Sequence, residues 1–160
     1  MKLTPDGDYK LKDLNFKINS GEKIGIMGKD REFIVKALFR FGVNEGSIEI
    51  DDINIESLGL HDLRRAFSII PSDPILFSGT IRSNLDPLDE KTDDEILEAL
   101  EHVHMKSVVV MLDNGLSTHI SSCCFSIAET RLFYLAMAIL AKNRILIFEE
   151  SAELVELQPE

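Results

Sequence analysis

Apolar residues fall along the chain in patterns that specify elements one by one. Ile24-Gly-Ile-Met-Gly28 is a short apolar run ending at glycine, which predicts a buried strand. Phe33, Ile34, Ala37, Leu38 and Phe41 follow at helical spacing along one face. Ile48, Ile50, Ile53 and Ile55 alternate with polar residues, which predicts strands with turns at Gly46 and Asp51-Asp52. Residues 61–66 read as a short helix and Phe67-Ser-Ile-Ile70 as a strand stopped by Pro71. Thr92-Asp-Asp-Glu95 is a capping-box signature, followed by Ile96, Leu97, Leu100 and Val103 on one helix face. Ser126-Ile-Ala-Glu129 is a second such box. It opens an apolar helix through about Lys142 that carries Leu132, Leu135, Ala136, Ile139 and Leu140. Ile145-Leu-Ile-Phe148 then reads as a fully buried strand of the parallel-sheet kind. Strand and helix alternate at both ends with helices between, which predicts an α/β core with a helical insertion.

Composition changes this picture little, but charge changes it. The 160 residues suit one domain with a real core, and 44% apolar with 28% charged residues is ordinary globular material. No apolar run of about 18 residues exists to span a membrane, and no apolar signal region opens the chain. Two adjacent cysteines, Cys123 and Cys124, form no disulfide framework and suit a reducing compartment. The expectation is a soluble intracellular domain. The net charge of −11 argues against nucleic acid as a partner, and it is unevenly placed. Residues 86–101 hold eight acids and one base, residues 149–160 five acids and no base, and everything else sums to +1. The first stretch reads as a solvated helix face. The second follows a buried-looking strand, where α/β proteins place their sites.

Several segments together resemble a known family. Ser20-Gly-Glu-Lys-Ile-Gly-Ile-Met-Gly28 is similar to the approach to a Walker A loop. Gly59-Leu-His-Asp-Leu-Arg-Arg65 and the run from Phe67-Ser-Ile-Ile-Pro-Ser-Asp-Pro through Asn-Leu-Asp-Pro87 look closely like a Q-loop region. Phe125-Ser-Ile-Ala-Glu129 sits where a signature motif would be, and residues 145–150 where a Walker B strand would be. The chain, from about residue 11 to 156, resembles the second nucleotide-binding domain of ABC transporters of subfamily C, the multidrug-resistance-associated type.

The resemblance implies a RecA-like P-loop NTPase core with a parallel sheet (residues 1–73 and 130–160). An α-helical subdomain is inserted over about residues 74–129, and the C-terminal strands are missing. It also implies ATP and Mg²⁺ as ligands, a second nucleotide-binding domain and transmembrane domains as partners, and a place in the cytoplasm or on the cytoplasmic face of a membrane.

Residue by residue, the resemblance departs from the family pattern. A P-loop, G-x-x-x-x-G-K-[ST], wraps the β-phosphate in backbone N–H groups and adds a lysine and a hydroxyl. Gly28 suits the first glycine, but Phe33, Ile34 and Val35 follow where glycine, lysine and hydroxyl belong. Anchoring on Ala37-Leu-Phe-Arg40 instead implies a loop about three residues shorter, with Arg31 in the lysine position and Glu32 in the hydroxyl position. Ser72 replaces the Q-loop glutamine that contacts Mg²⁺ and water. Ser126 matches the signature serine, Ala128 replaces a glycine, and Glu129 is compatible with the usual residue. Glu149 stands for the Walker B aspartate that orders Mg²⁺, and Glu150 for the catalytic base. Leu3 takes the place of the adenine-stacking aromatic. None of His61, His102, His104 and His119 occupies the place of a switch histidine. The expected function is a degenerate ATP-binding domain with impaired binding and little or no hydrolysis, acting as a structural or regulatory partner in transport. The alternative is an ATP-hydrolysing domain working with a second domain that supplies an intact Walker A loop.

Overall fold

The computed structural model describes residues 1–4, 6–122 and 125–149. The chain divides into two compact units, Met1–Arg65 and Ala66–Glu160.

In the first unit, helix α1 (Glu32–Leu38) buries Phe33 and Ala37 against Met1, with Leu11 and Ile48 packed around them. That is the face the spacing predicts. A two-residue hairpin joins β1 (Glu49–Ile50) to β2 (Ile53–Asn54) in antiparallel register, Ile50 opposite Ile53. Its turn is Asp51-Asp52, both at positive φ (50° and 64°), the backbone that a type I′ turn needs. A 3₁₀ turn (Ile55–Ser57) and α2 (Leu60–Arg65) follow, burying Ile55 and Leu63. Arg40 ties the end of α1 to this region, donating to the carbonyls of Leu58 at 2.7 Å and Ile55 at 3.3 Å and pairing with Glu56 at 3.2 Å. Gly42 lets the chain pass close to Lys2. Its φ is +138°, and a Cβ there would meet the Lys2 carbonyl at 2.4 Å.

The predicted strand at residues 24–28 is not found. The segment is irregular and exposed, with Met27 at 86%, and residues 23–27 make no ladder hydrogen bond among the described residues. Apolar content shows that a segment wants a partner strand; it does not supply one.

The second unit holds a parallel pair, β3 (Phe67–Ile70) and β4 (Ile145–Phe148), in register from Phe67–Ile145 to Ile70–Phe148. Helix α6 (Ile127–Ala141) connects into β4 and packs on β3 and on α4 (Asp93–His102). β3 forms at the expected residues and is mostly buried. β4, expected to be fully buried, is not: its residues alternate between half-buried and exposed, with Leu146 at 42% and Phe148 at 63%. A fully buried strand needs a neighbour on each edge and cover on each face. Among the described residues β4 pairs with β3 alone.

The larger core is helical. Ile81 and Leu85 of α3 (Ile81–Leu85), Ile96 and Leu100 of α4, Val109 of α5 (Lys106–Val110) and Phe133 and Ala136 of α6 form one cluster. The helix opened by Ser126 thus contributes to the packing of the helical region as well as to the sheet. Both predicted capping boxes form: Thr92 and Ser126 each accept from the N3 backbone N–H, and Glu95 and Glu129 each reach back to the cap. A third box, Thr80 with Ser83, opens α3. It uses serine where the usual signature has glutamate or glutamine, so the sequence pattern did not reveal it.

Asn84 on α3 is buried and spends its whole amide on the chain just before it. Its Oδ1 accepts from the Phe77 N–H at 2.7 Å, and its Nδ2 donates to the carbonyls of Phe77 (3.0 Å) and Thr80 (2.9 Å). Asn84→Ala is expected to cost about 1–3 kcal/mol, because it strands backbone groups that Asn84 now satisfies. The measurement is thermal melting, and a midpoint unchanged within about 1 °C would refute this role.

Candidate functional site

Residues 28–31 join this exposed segment to α1. Gly28 has φ +148° with open space where a Cβ would stand, and its carbonyl accepts from Arg31 at 3.4 Å. The first α1 amides are already committed: Phe33 donates to the Asp30 carbonyl at 3.0 Å and Ile34 to that of Arg31 at 3.1 Å. Glu32 pairs with Lys36 one turn on, at 2.9 Å. Gly28 and Arg31 are therefore neighbours in the first unit, in a tight turn with an acidic residue opening the helix.

In the second unit the parallel pair brings two predicted positions, Glu149 and Ser72, to one end of the sheet. Glu149 follows β4 and donates its N–H to the Ile70 carbonyl at 2.9 Å, extending the ladder past Pro71. Ser72 lies just beyond. Its carbonyl accepts from the Arg131 guanidinium at 2.8 Å. Arg131 and Glu149 line a crevice of about 200 Å³ with Ile70, Leu132, Leu135 and Phe148. This is the carboxyl end of parallel strands, where open α/β sheets form their sites. Arg131 was not singled out in the sequence: it acts across 59 residues, and no local pattern signals such a contact. Tyr134, one turn along α6, likewise donates to the Ile75 carbonyl at 2.7 Å. With Asn84 these two side chains pin the loop after β3, while Ile75 (68%) and Phe77 (73%) face outward.

The opening of α6 is closed on itself. The Ser126 hydroxyl accepts from the Glu129 N–H at 3.2 Å and lies 2.8 Å from the Glu129 carboxylate, to which it donates. That carboxylate also accepts from the Ser126 N–H at 2.8 Å. These bonds, backbone first, hold the Glu129 carboxyl below the usual glutamate range. Because fewer protons bind when folded, the stabilisation is complete above the unfolded value and is lost as the pH falls through the folded one. Melting temperature is therefore expected to drop on acidification below the ordinary glutamate range. Glu129→Gln keeps the box and should flatten that part of the profile. Ser126→Ala should cost about 0.5–2 kcal/mol at neutral pH. An unchanged acid limb in the Gln variant would exclude Glu129 as its source.

The predicted catalytic position, Glu150, lies outside the described residues, as do Cys123 and Cys124. Among the described residues no group of three or more His, Cys, Asp or Glu is arranged to hold a metal ion. No helix among them is long and apolar enough to cross a membrane.

The family model described as ABC transporter matches residues 11–153. The chain belongs to the ABC transporter family. It is 43% identical over 165 positions to the Probable multidrug resistance-associated protein lethal(2)03659 of Drosophila melanogaster, covering 99% of this chain and 12% of that protein. It is 44% identical to the ATP-binding cassette sub-family C member 4 of Mus musculus, over 94% of this chain and 12% of the relative. It is 40% identical to the ATP-binding cassette sub-family C member 2 of Homo sapiens, over 99% and 11%. The chain thus spans about an eighth of the length of these relatives. The expected resemblance to subfamily C and the P-loop NTPase fold class are borne out. The alignment to the Drosophila protein is five positions longer than the 160-residue chain, so some of its positions face gaps here.

Proposed function

We propose that this domain of an ABC transporter of the subfamily C type has a degenerate nucleotide site, with ATP binding weakened or lost and little or no hydrolysis. It serves as a structural or regulatory partner to a second nucleotide-binding domain and to transmembrane domains at the cytoplasmic face of a membrane. The observation that carries the reading is the turn at residues 28–33. A triphosphate needs free loop amides, a lysine and a hydroxyl for Mg²⁺. This turn offers amides of Phe33 and Ile34 that are already bonded, a carboxylate at Glu32, and Arg31 where the lysine belongs, with Lys29 directly after Gly28. The residues present do not fit the group, and no catalytic step is derived through it.

At the signature position, Ser126 would have to break its bond to the Glu129 carboxylate before donating to a phosphate. That carboxylate would also repel the phosphate. Arg131 and Glu149 line one crevice, and the Arg131 guanidinium is committed to the Ser72 carbonyl at 2.8 Å. The outward pair Ile75 and Phe77, on a loop held by Arg131, Tyr134 and Asn84, supports docking to a partner domain. Ser126 is exposed at the start of a 15-residue helix, which favours one second reading: the domain completes an ATP site held by another domain. Mixing the chain with a competent family domain tests this, since ATPase stimulation on mixing supports the second reading. Titration with a fluorescent ATP analogue and Mg²⁺ tests the first.

A further inference from the structure

The chain holds seven asparagines, and five are tied down by their side chains. Asn19 donates to Glu22, Asn44 to the Ala37 carbonyl and Asn143 to the Ser68 hydroxyl. Asn54 accepts from the Glu56 N–H, and Asn84 holds Phe77 and Thr80. Of the other two, Asn15 precedes Phe16 and Asn114 precedes Gly115, the one Asn-Gly step in the sequence. Asn114 is exposed, opens the 3₁₀ turn Gly115–Ser117 and makes no side-chain cap to it. Gly115 has nothing within 4 Å of the position a Cβ would take, so no side chain bars the way to its backbone nitrogen.

We propose that Asn114–Gly115 is a self-modification site, converted to aspartate and isoaspartate with water as the co-reactant. The Gly115 nitrogen gives its proton to hydroxide and bonds to the Asn114 Cγ. The Cγ–Nδ2 bond breaks, and ammonia leaves with a proton from water. The product is a cyclic imide, and water then adds to one of its two carbonyl carbons. Breaking the Cγ–N bond leaves aspartate. Breaking the bond from nitrogen to the Asn114 carbonyl carbon leaves isoaspartate, whose main chain runs through Cβ and Cγ. Overall, water is consumed and ammonia released, with no oxidant or reductant. Asparagine is among the thermally labile residues for this kind of reason.

The folded turn holds the reaction back. The Gly115 N–H donates to the Leu112 carbonyl at 3.0 Å. At an Asn114 ψ of 10° the Gly115 nitrogen is turned toward the Asn114 nitrogen and away from Cβ. The turn must open before the two groups meet, and exposed turns open at the low end of local stability. Conversion then reaches the core. The Asn114 carbonyl accepts from the Ser117 N–H at 2.9 Å and that of Gly115 from the Thr118 N–H at 3.1 Å. Thr118 is buried, and its carbonyl accepts from the Ile81 N–H at 2.9 Å, at the first turn of α3. A main chain lengthened at residue 114 displaces this anchor; a plain aspartate leaves it in place. None of these residues belongs to the nucleotide positions, so the proposal stands apart from that reading.

Incubation of the full chain in warm, mildly alkaline heavy-oxygen water, followed by peptide mass spectrometry, tests it. The expected result is exchange of amide for acid at Asn114 with heavy oxygen incorporated, as two chromatographically separable products. The rate rises with pH, and Asn15 lags behind. Denaturant speeds the reaction at Asn114 by about tenfold or more, because it removes the closed turn. Asn114→Gln gives no product at that position on the same timescale. The separated isoaspartyl form melts about 4 °C or more below the starting chain, whereas Asn114→Asp melts within about 1 °C of it. An Asn114 that stays intact in the folded chain, an Asn15 that converts as fast, equal rates folded and denatured, or an Asp variant that melts as low as the isoaspartyl form would overturn the proposal.

Discussion

Titrated with a fluorescent ATP analogue and Mg²⁺, the purified chain is expected to show no saturation at micromolar nucleotide. The turn at residues 28–33 carries Arg31, not lysine, at the position that serves the β- and γ-phosphates, with its one lysine, Lys29, directly after the first glycine; Leu3 offers no aromatic face for the base, and Ser72 is too short to replace a glutamine at the metal. Each such contact is worth about 1–3 kcal/mol. Their combined loss, even if only partly additive, weakens binding by roughly a thousandfold or more. Saturation at micromolar concentration would sink the degenerate reading. Arg31→Lys alone is expected to restore nothing. The lysine is one missing part, while Glu32 still opens the helix and the Phe33 and Ile34 amides still bond within the turn. A variant that binds tightly after this one change would show that the turn, not merely its charge, suits a phosphate.

The largest effect on stability is expected at Phe133. Its side chain is almost wholly buried in the helical core, edge-on to Phe125 with ring centroids 4.8 Å apart. It sits on α6, which packs on both β3 and α4. Phe133→Ala removes the apolar burial and leaves a cavity between these elements, a loss of about 3–5 kcal/mol. Denaturant unfolding measures it directly. A loss below about 1 kcal/mol would mean that the helices close around the gap or that the ring is not at the centre of the core. Phe133→Leu should recover much of the loss, because volume-conserving apolar exchanges cost less.

Elements whose cause is local were legible in the sequence. Thr92 and Ser126 announce their helices because a capping box is complete within four residues. Asp51-Asp52 announces the hairpin because its two positions tolerate positive φ. The face of α1 was readable because Phe33 and Ala37 repeat at helical spacing. Pairing between distant segments was not legible. The apolar run at residues 24–28 reads as a strand, but a strand exists only with a neighbour, and here the run lies exposed. β4 reads as buried for the same reason and has one neighbour among the described residues.

The candidate site divides in the same way. Gly28, Arg31, Ser72, Ser126, Glu129 and Glu149 were named from local motifs. The three side chains that hold the loop after β3 were missed. Asn84 looks like any helix asparagine, and Arg131 and Tyr134 reach their carbonyl partners across 59 residues. Helix α5 was missed for a local reason, since three consecutive valines and no side-chain cap give little helix signal.

An exposed main chain without a ladder is also what a protease cleft can take up. Lys17 and Lys23 stand on exposed stretches of the first unit, either side of the Asn19–Glu22 turn. The rate at which trypsin nicks this chain at these two lysines is therefore a gauge of how readily that stretch of backbone opens.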